Sequence, residues 1–145
     1  MNSFRRMVCS AGRQAILFCF GGALYYGIEV MFRGYSHPLM AVLGGLLFLV
    51  IGALNEGVGE GTPLAAQGIA SSVVITLAEF ISGLILNVWL KLGIWDYSDL
   101  PLNLLGQICV QFSLAWIFVG MLAVVVDDVL RHILFGEPMP RYRLF

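Results

Sequence analysis

The chain has 145 residues, 59% of them hydrophobic and 12% charged, with a formal net charge of -1 and a mean hydropathy of +0.89. A water-soluble domain of this length does not carry so much apolar surface, so lipid is the expected solvent. The eight Lys and Arg residues are spread along the chain, which excludes the concentrated basic field that nucleic acid requires.

The charges leave four long apolar tracts, each near or above the roughly 18 residues that a spanning helix needs. The first runs from about Ala15 to Phe32 and follows Arg5, Arg6 and Arg13. It contains Glu29 and no small-residue cleavage site follows it, so it reads as a retained helix rather than a signal peptide. A short connection, Arg33 to His37, leads to a second span over 38–54, with Pro38 suited to the first helical turn. Gly57, Gly59 and Gly61, with Glu56 and Glu60, break the pattern before Pro63, and a third span occupies 64–90. Lys91 through Leu100 forms the next connection, after which Pro101 is expected to start a fourth span over 102–126 that ends before Asp127 and Asp128.

The fold expected is therefore all-α: a polytopic membrane protein, one domain over 1–145, built as a four-transmembrane-helix bundle. Spanning helices are required because backbone amides in hydrocarbon must be satisfied within the segment, and these tracts are too long and too continuously apolar for barrel strands. Six of the eight basic residues flank the outermost spans, against one each, Arg33 and Lys91, in the first and third connections. The positive-inside rule then places the N- and C-termini in the cytoplasm, with Trp89, Trp95 and Tyr97 near the outer interface.

A carboxyl at the bilayer centre costs from about 3 to more than 10 kcal/mol, which makes Glu29 and Glu79 the most informative residues in the chain. In the third span Gly68, Ser72, Thr76, Glu79, Gly83 and Asn87 recur every three or four residues and so share one helix face. Asn103, Gln107 and Gln111 repeat the device at four-residue steps in the fourth. Counting about 1.5 Å per residue puts Glu79 and Gln111 near mid-depth and Glu29, Asn87, Asn103 and Gln107 in the outer half. The expectation is a polar chamber opening outward, with those six residues as substrate- or ion-binding groups and Asn55 and Glu56 at a separate inner end. For the glycines and serines, close helix packing is the stronger reading. Cys9, Cys19 and Cys109 have no ligand or disulfide spacing, and no metal, cofactor or catalytic residue is expected.

Two stretches carry a family likeness. Gly44 to Phe48 continues into Ile51-Gly52-Ala53-Leu54-Asn55-Glu56, and Gly93-Ile94-Trp95-Asp96-Tyr97-Ser98 continues into Pro101-Leu102-Asn103-Leu104-Leu105-Gly106-Gln107-Ile108-Cys109, with Trp116 beyond. Together they resemble the ABC-transporter type IV, or CmpB-like, family of small bacterial membrane proteins, and the likeness covers about the last two-thirds of the chain. It implies a multi-pass protein of the cell membrane, in bacteria the inner membrane. With no G-x-x-x-x-G-K-[ST] loop, ATP hydrolysis by that mechanism would belong to another chain.

The function expected is a transporter or permease-like subunit that moves a small polar solute or ion. Four spans make a modest pathway, so a homo-oligomer or a partner membrane subunit is expected beside the lipid bilayer. An accessory or scaffold subunit without transport of its own is the alternative. A membrane-embedded enzyme ranks last, because no nucleophile-base pair is visible.

Overall fold

The computed structural model describes residues 3–58 and 61–145, with side chains from residue 10 onward. Gly59 and Glu60, and the side chains of Arg5, Arg6 and Cys9, lie outside the described residues. Helices make up 72% of the chain, in the order α1 (Ser3–Arg33), α2 (Pro38–Gly57), α3 (Leu64–Gly83) and α4 (Val110–Phe135). A π-helical turn, Leu84–Trp89, extends α3. Four stretches, Ser10–Arg33, Pro38–Gly57, Leu64–Trp89 and Val110–Phe135, are long and apolar enough to cross a bilayer.

Local chemistry sets the helix ends. His37 Nδ1 accepts from the Leu39 amide at 3.2 Å, with Pro38 at the first helical position of α2. The free amides opening α3 are met from a distance: Leu64 and Ala65 donate to the carbonyls of Arg143 and Leu144, so the C-terminal tail caps this helix. α4 stops at Gly136, which takes the left-handed conformation at φ 71° while its amide and that of Glu137 return to His132 and Arg131.

The fourth span corrects the sequence expectation at both of its ends. Pro101 does not start a helix; residues 101–109 form a loop with a small antiparallel hairpin, β1 (Asn103–Leu104) and β2 (Ile108–Cys109), so the protein is not purely α. Asn103 explains the difference, because its Oδ1 accepts from the Gly106 amide and its Nδ2 donates to the carbonyls of Ser98 and Leu100. Side-chain bonds of this kind compete with helix for the same backbone groups. At the other end α4 continues through Asp127 and Asp128 to Phe135, with Asp127 ion-paired to Arg131 one turn on.

α1 packs chiefly on α2 and α3 chiefly on α4, so the bundle is two helix hairpins laid against each other. The first is drawn tight at Gly22, where an added Cβ would sit 2.5 Å from the Ala41 carbonyl oxygen. Between the hairpins, Leu47, Ile51, Ile75 and Val124 form a buried apolar cluster. Outward faces are apolar as well: Ile69, Val73, Leu77 and Ile81, at four-residue steps along α3, are each more than half exposed. Apolar side chains outside and Ser, Glu and Asp within is the arrangement that hydrocarbon solvent selects. This is a multi-pass membrane protein. Arg13, near the start of α1, reaches Glu137 beyond the end of α4 at 3.1 Å, so both ends of the described chain lie at the same end of the bundle.

Candidate functional site

The polar stripe of α3 faces α4. Ser72 Oγ donates to the Ser113 carbonyl and Thr76 Oγ1 to Ser113 Oγ at 3.0 Å. One turn further along, Glu79 is 2% exposed and accepts from the indole Nε1 of Trp116 at 2.8 Å. Among the described residues, no basic side chain pairs with Glu79. Tyr25 of α1 stacks on Trp116, with ring centroids 6.1 Å apart, so the first hairpin closes over the Glu79–Trp116 pair. The stripe is thus largely a seam between helices, as small and hydrogen-bonding residues in a membrane allow.

Glu29 lies beyond Tyr25, in the last turns of α1. Its carboxylate takes Arg33 Nη1 at 3.2 Å and the Ser36 hydroxyl, and Arg33 Nη2 also reaches the Ile94 carbonyl at 2.7 Å. Glu29 is therefore ion-paired and helps to hold the 93–109 loop on the bundle end. Asn87 and Gln107 serve the same loop: Asn87 Nδ2 donates to Gln107 Oε1 at 2.9 Å, and Asn87 Oδ1 accepts from the Ile94 amide at 2.7 Å. Gln107 Nε2 donates to the Leu105 carbonyl, and the Gln107 carbonyl accepts from Trp95 Nε1 at 3.0 Å. Trp95, expected at the outer interface, is buried at 4% exposure against Met40 and Ile94. Its indole is a peg for the loop.

The six residues expected to line an outward chamber are not gathered into one. Asn103 and Gln107 belong to the hairpin rather than to a helix. Gln111 stands in the first turn of α4, exposed, and not at mid-depth beside Glu79. A cavity in the seam between the hairpins, beside Trp116, is about 50 Å³ and is lined by apolar and aromatic side chains, among them Leu47, Ile75 and Val119; a second of the same volume, nearer the opposite end, includes Asn55, Gln67 and Ser71. Glu29, Glu79 and Arg33 each act electrostatically on Tyr97. Burial first, then the charges of Glu79, Cys109 and Glu29, raise the Tyr97 phenol well above its ordinary value, against a lowering by Arg33.

At the opposite end of the bundle Asn55 and Glu56, expected at a separate inner end, meet Asp127, Asp128 and Tyr142, to which the sequence reading gave no role. Asp127, wholly buried, receives Arg131 Nε on Oδ2 at 2.6 Å. Asp128 accepts from Asn55 Nδ2 at 2.8 Å and from the Tyr142 hydroxyl at 2.7 Å, which ties the tail to α4. Burial and then that bond to Asp128 raise the Tyr142 phenol, so it stays a donor. Asn55, Asp128 and Tyr142 border a polar cleft of about 240 Å³ that also includes Glu56, Gln67 and Arg141. One local signal for this end was present: an acid four residues before a base, Asp127 and Arg131, with Gly136 as the stop. Trp116, thirty-seven positions from Glu79, offered none.

Comparison with curated proteins finds no match, and neither does comparison with solved structures. The sequence model of the family described as "Putative ABC-transporter type IV" matches residues 16–134, from the first span through the loop, the hairpin and nearly all of α4. On that match the four-helix chain with its pegged 93–109 loop belongs to this family.

Proposed function

We propose that the chain is a permease-like subunit of a transport system that moves a small polar solute or ion, with Glu79 as the charge-bearing group between the two hairpins. The observation that carries this reading is a carboxyl buried at 2% exposure inside a spanning segment with an indole and, among the described residues, no paired cation beside it. Packing alone does not require such a group, because Gly68 and Ser72 close the same seam without the several kcal/mol that a carboxyl in hydrocarbon costs, about 3 or more. Family membership adds support for a transport-related rather than a catalytic role. The seam cavity is narrow and apolar, so passage requires the hairpins to part, and a second copy or a partner subunit completes the path. Six flanking basic residues favour a cytoplasmic location for both termini in a bacterial inner membrane.

Reconstitution tests the reading. Proteoliposomes holding a pH-sensitive dye, under an imposed potential, should show ion flux that falls tenfold or more in Glu79→Gln and is unchanged in Asp99→Asn. Flux equal in wild type and Glu79→Gln removes Glu79 from the path. A second reading, an accessory subunit that carries nothing, is favoured by one specific observation: Asn87, Asn103 and Gln107 spend their amides on the loop. That reading predicts stable co-purification with a membrane partner and no flux from the chain alone.

A further inference from the structure

From the end of the bundle opposite the 93–109 loop, we propose that Glu56, Asp127 and Asp128 form a binding site for a hard divalent cation such as Mg²⁺, Mn²⁺ or Ca²⁺. One oxygen from each of the three carboxylates lies within 4.8 Å of the others. Oxygens so spaced can surround a single ion at the roughly 2.3–2.6 Å at which Ca²⁺ takes carboxylates, or close slightly for the smaller ions. All the candidate donors are oxygen, which suits hard cations and not zinc or copper.

Proximity of acids is not the whole argument. Asp127 is 0% exposed, and while its Oδ2 takes Arg131, its Oδ1 is buried without a hydrogen-bond partner among the described residues. A buried carboxylate oxygen left without a partner carries a desolvation cost that nothing offsets. Gln67 repeats the pattern: its Nε2 donates to the Thr62 carbonyl, but its Oε1 is buried with no partner among the described residues, and the residue borders the same cleft as Glu56 and Asp128. An unpartnered carboxylate oxygen inside a triad of acids calls for a positive ligand, and the Gln67 oxygen stands on the cleft that Glu56 and Asp128 line. The resident cations do not fill the need. Arg131 is bound through Nε to Asp127 Oδ2 and stands 3.9 Å from Glu56, and Arg141 borders the cleft without an ion pair among the described residues. Arg131 is thus shared among Asp127, Glu56 and, at 3.8 Å, Glu137, and among the described residues no guanidinium pairs with Asp128. The residues come from α2, α3 and α4, so an ion there would tie the first hairpin to the second whatever the solute path.

Full-length protein in detergent micelles, titrated with Mn²⁺ and followed by loss of the free-ion electron paramagnetic resonance signal, tests the site. The expected result is one saturable Mn²⁺ per chain, displaced by Mg²⁺ or Ca²⁺, with affinity lowered tenfold or more in Asp128→Asn and in Glu56→Gln but unchanged in Asp99→Asn. Should either acid-site variant fail to fold, wild-type melting decides: Mn²⁺ at about a hundred times its dissociation constant should raise Tm by about 5 °C, and NaCl of equal ionic strength should not. No saturable uptake by wild type, or uptake undiminished in both acid-site variants, overturns the proposal.

Discussion

The indole of Trp116 on α4 donates to Glu79 on α3 at 2.8 Å, and the ring of Tyr25 from α1 stacks over that indole. One hydrogen bond thus closes the second hairpin at the point where the first hairpin covers it. Trp116→Phe keeps most of the stack and removes the donor. Interhelical hydrogen bonds in membranes are worth about 0.6 kcal/mol on average and up to about 1.7. With the stranded carboxyl added, the variant should lose about 1–2 kcal/mol. Reversible unfolding in mixed micelles measures this, and a double cycle with Glu79→Gln separates the bond from the packing.

Asn103 makes three bonds to loop backbone, at Gly106, Ser98 and Leu100. Asn103→Ala should leave the helices standing and melt the hairpin, with a local cost of about 1–3 kcal/mol. Amide hydrogen exchange over residues 97–107 should accelerate at least tenfold, while exchange in α2 stays as in wild type.

Asp96 supplies a pH dependence at the same loop. Its carboxylate accepts from the Ser98 hydroxyl and the Ser98 amide, and these bonds hold its pKa below the ordinary value of 3.8. A depressed folded-state pKa means that the stabilisation is complete above the ordinary value and is lost as pH falls below it through the folded one. Loop exchange, taken relative to the intrinsic amide rate at each pH, should therefore rise on acidification below about pH 4, and Asp96→Asn should flatten that rise.

The close approach at Gly22 should tolerate no side chain. Gly22→Ala places a methyl against the Ala41 carbonyl, a backbone atom that cannot rotate away. Overpacking of this kind costs about 1–3 kcal/mol. Gly12→Ala, on the same helix with nothing within 4 Å of its Cβ position, is the control and should be neutral or slightly stabilising. Thermal unfolding of both variants in one detergent makes the comparison.

Solvent and covalent spacing were enough to read the spans. Apolar tracts of membrane length, the Pro38 start and the placement of polar residues on one face of α3 follow from hydrophobicity and the helical repeat, which act within one segment. Those same rules misread residues 101–109, where Asn103 and Gln107 carry a helical period that the chain takes up only from Val110 onward. What decides there is the loop backbone that their amides meet, and Trp95, Asn87 and Arg33 supply the anchors.

From the sequence alone, Glu29 and Glu79 differ in depth but not in partner: two carboxyls in apolar tracts, each needing shelter from lipid. The tertiary structure separates them, giving Glu29 a guanidinium and a hydroxyl and Glu79 an indole across the seam. It also brings Glu56 to Asp127 and Asp128 across two helices. Hydrophobic period is a property of each segment and can be counted along the chain. Which polar atoms meet depends on how two hairpins are laid together, and that is settled by contacts between residues dozens of positions apart.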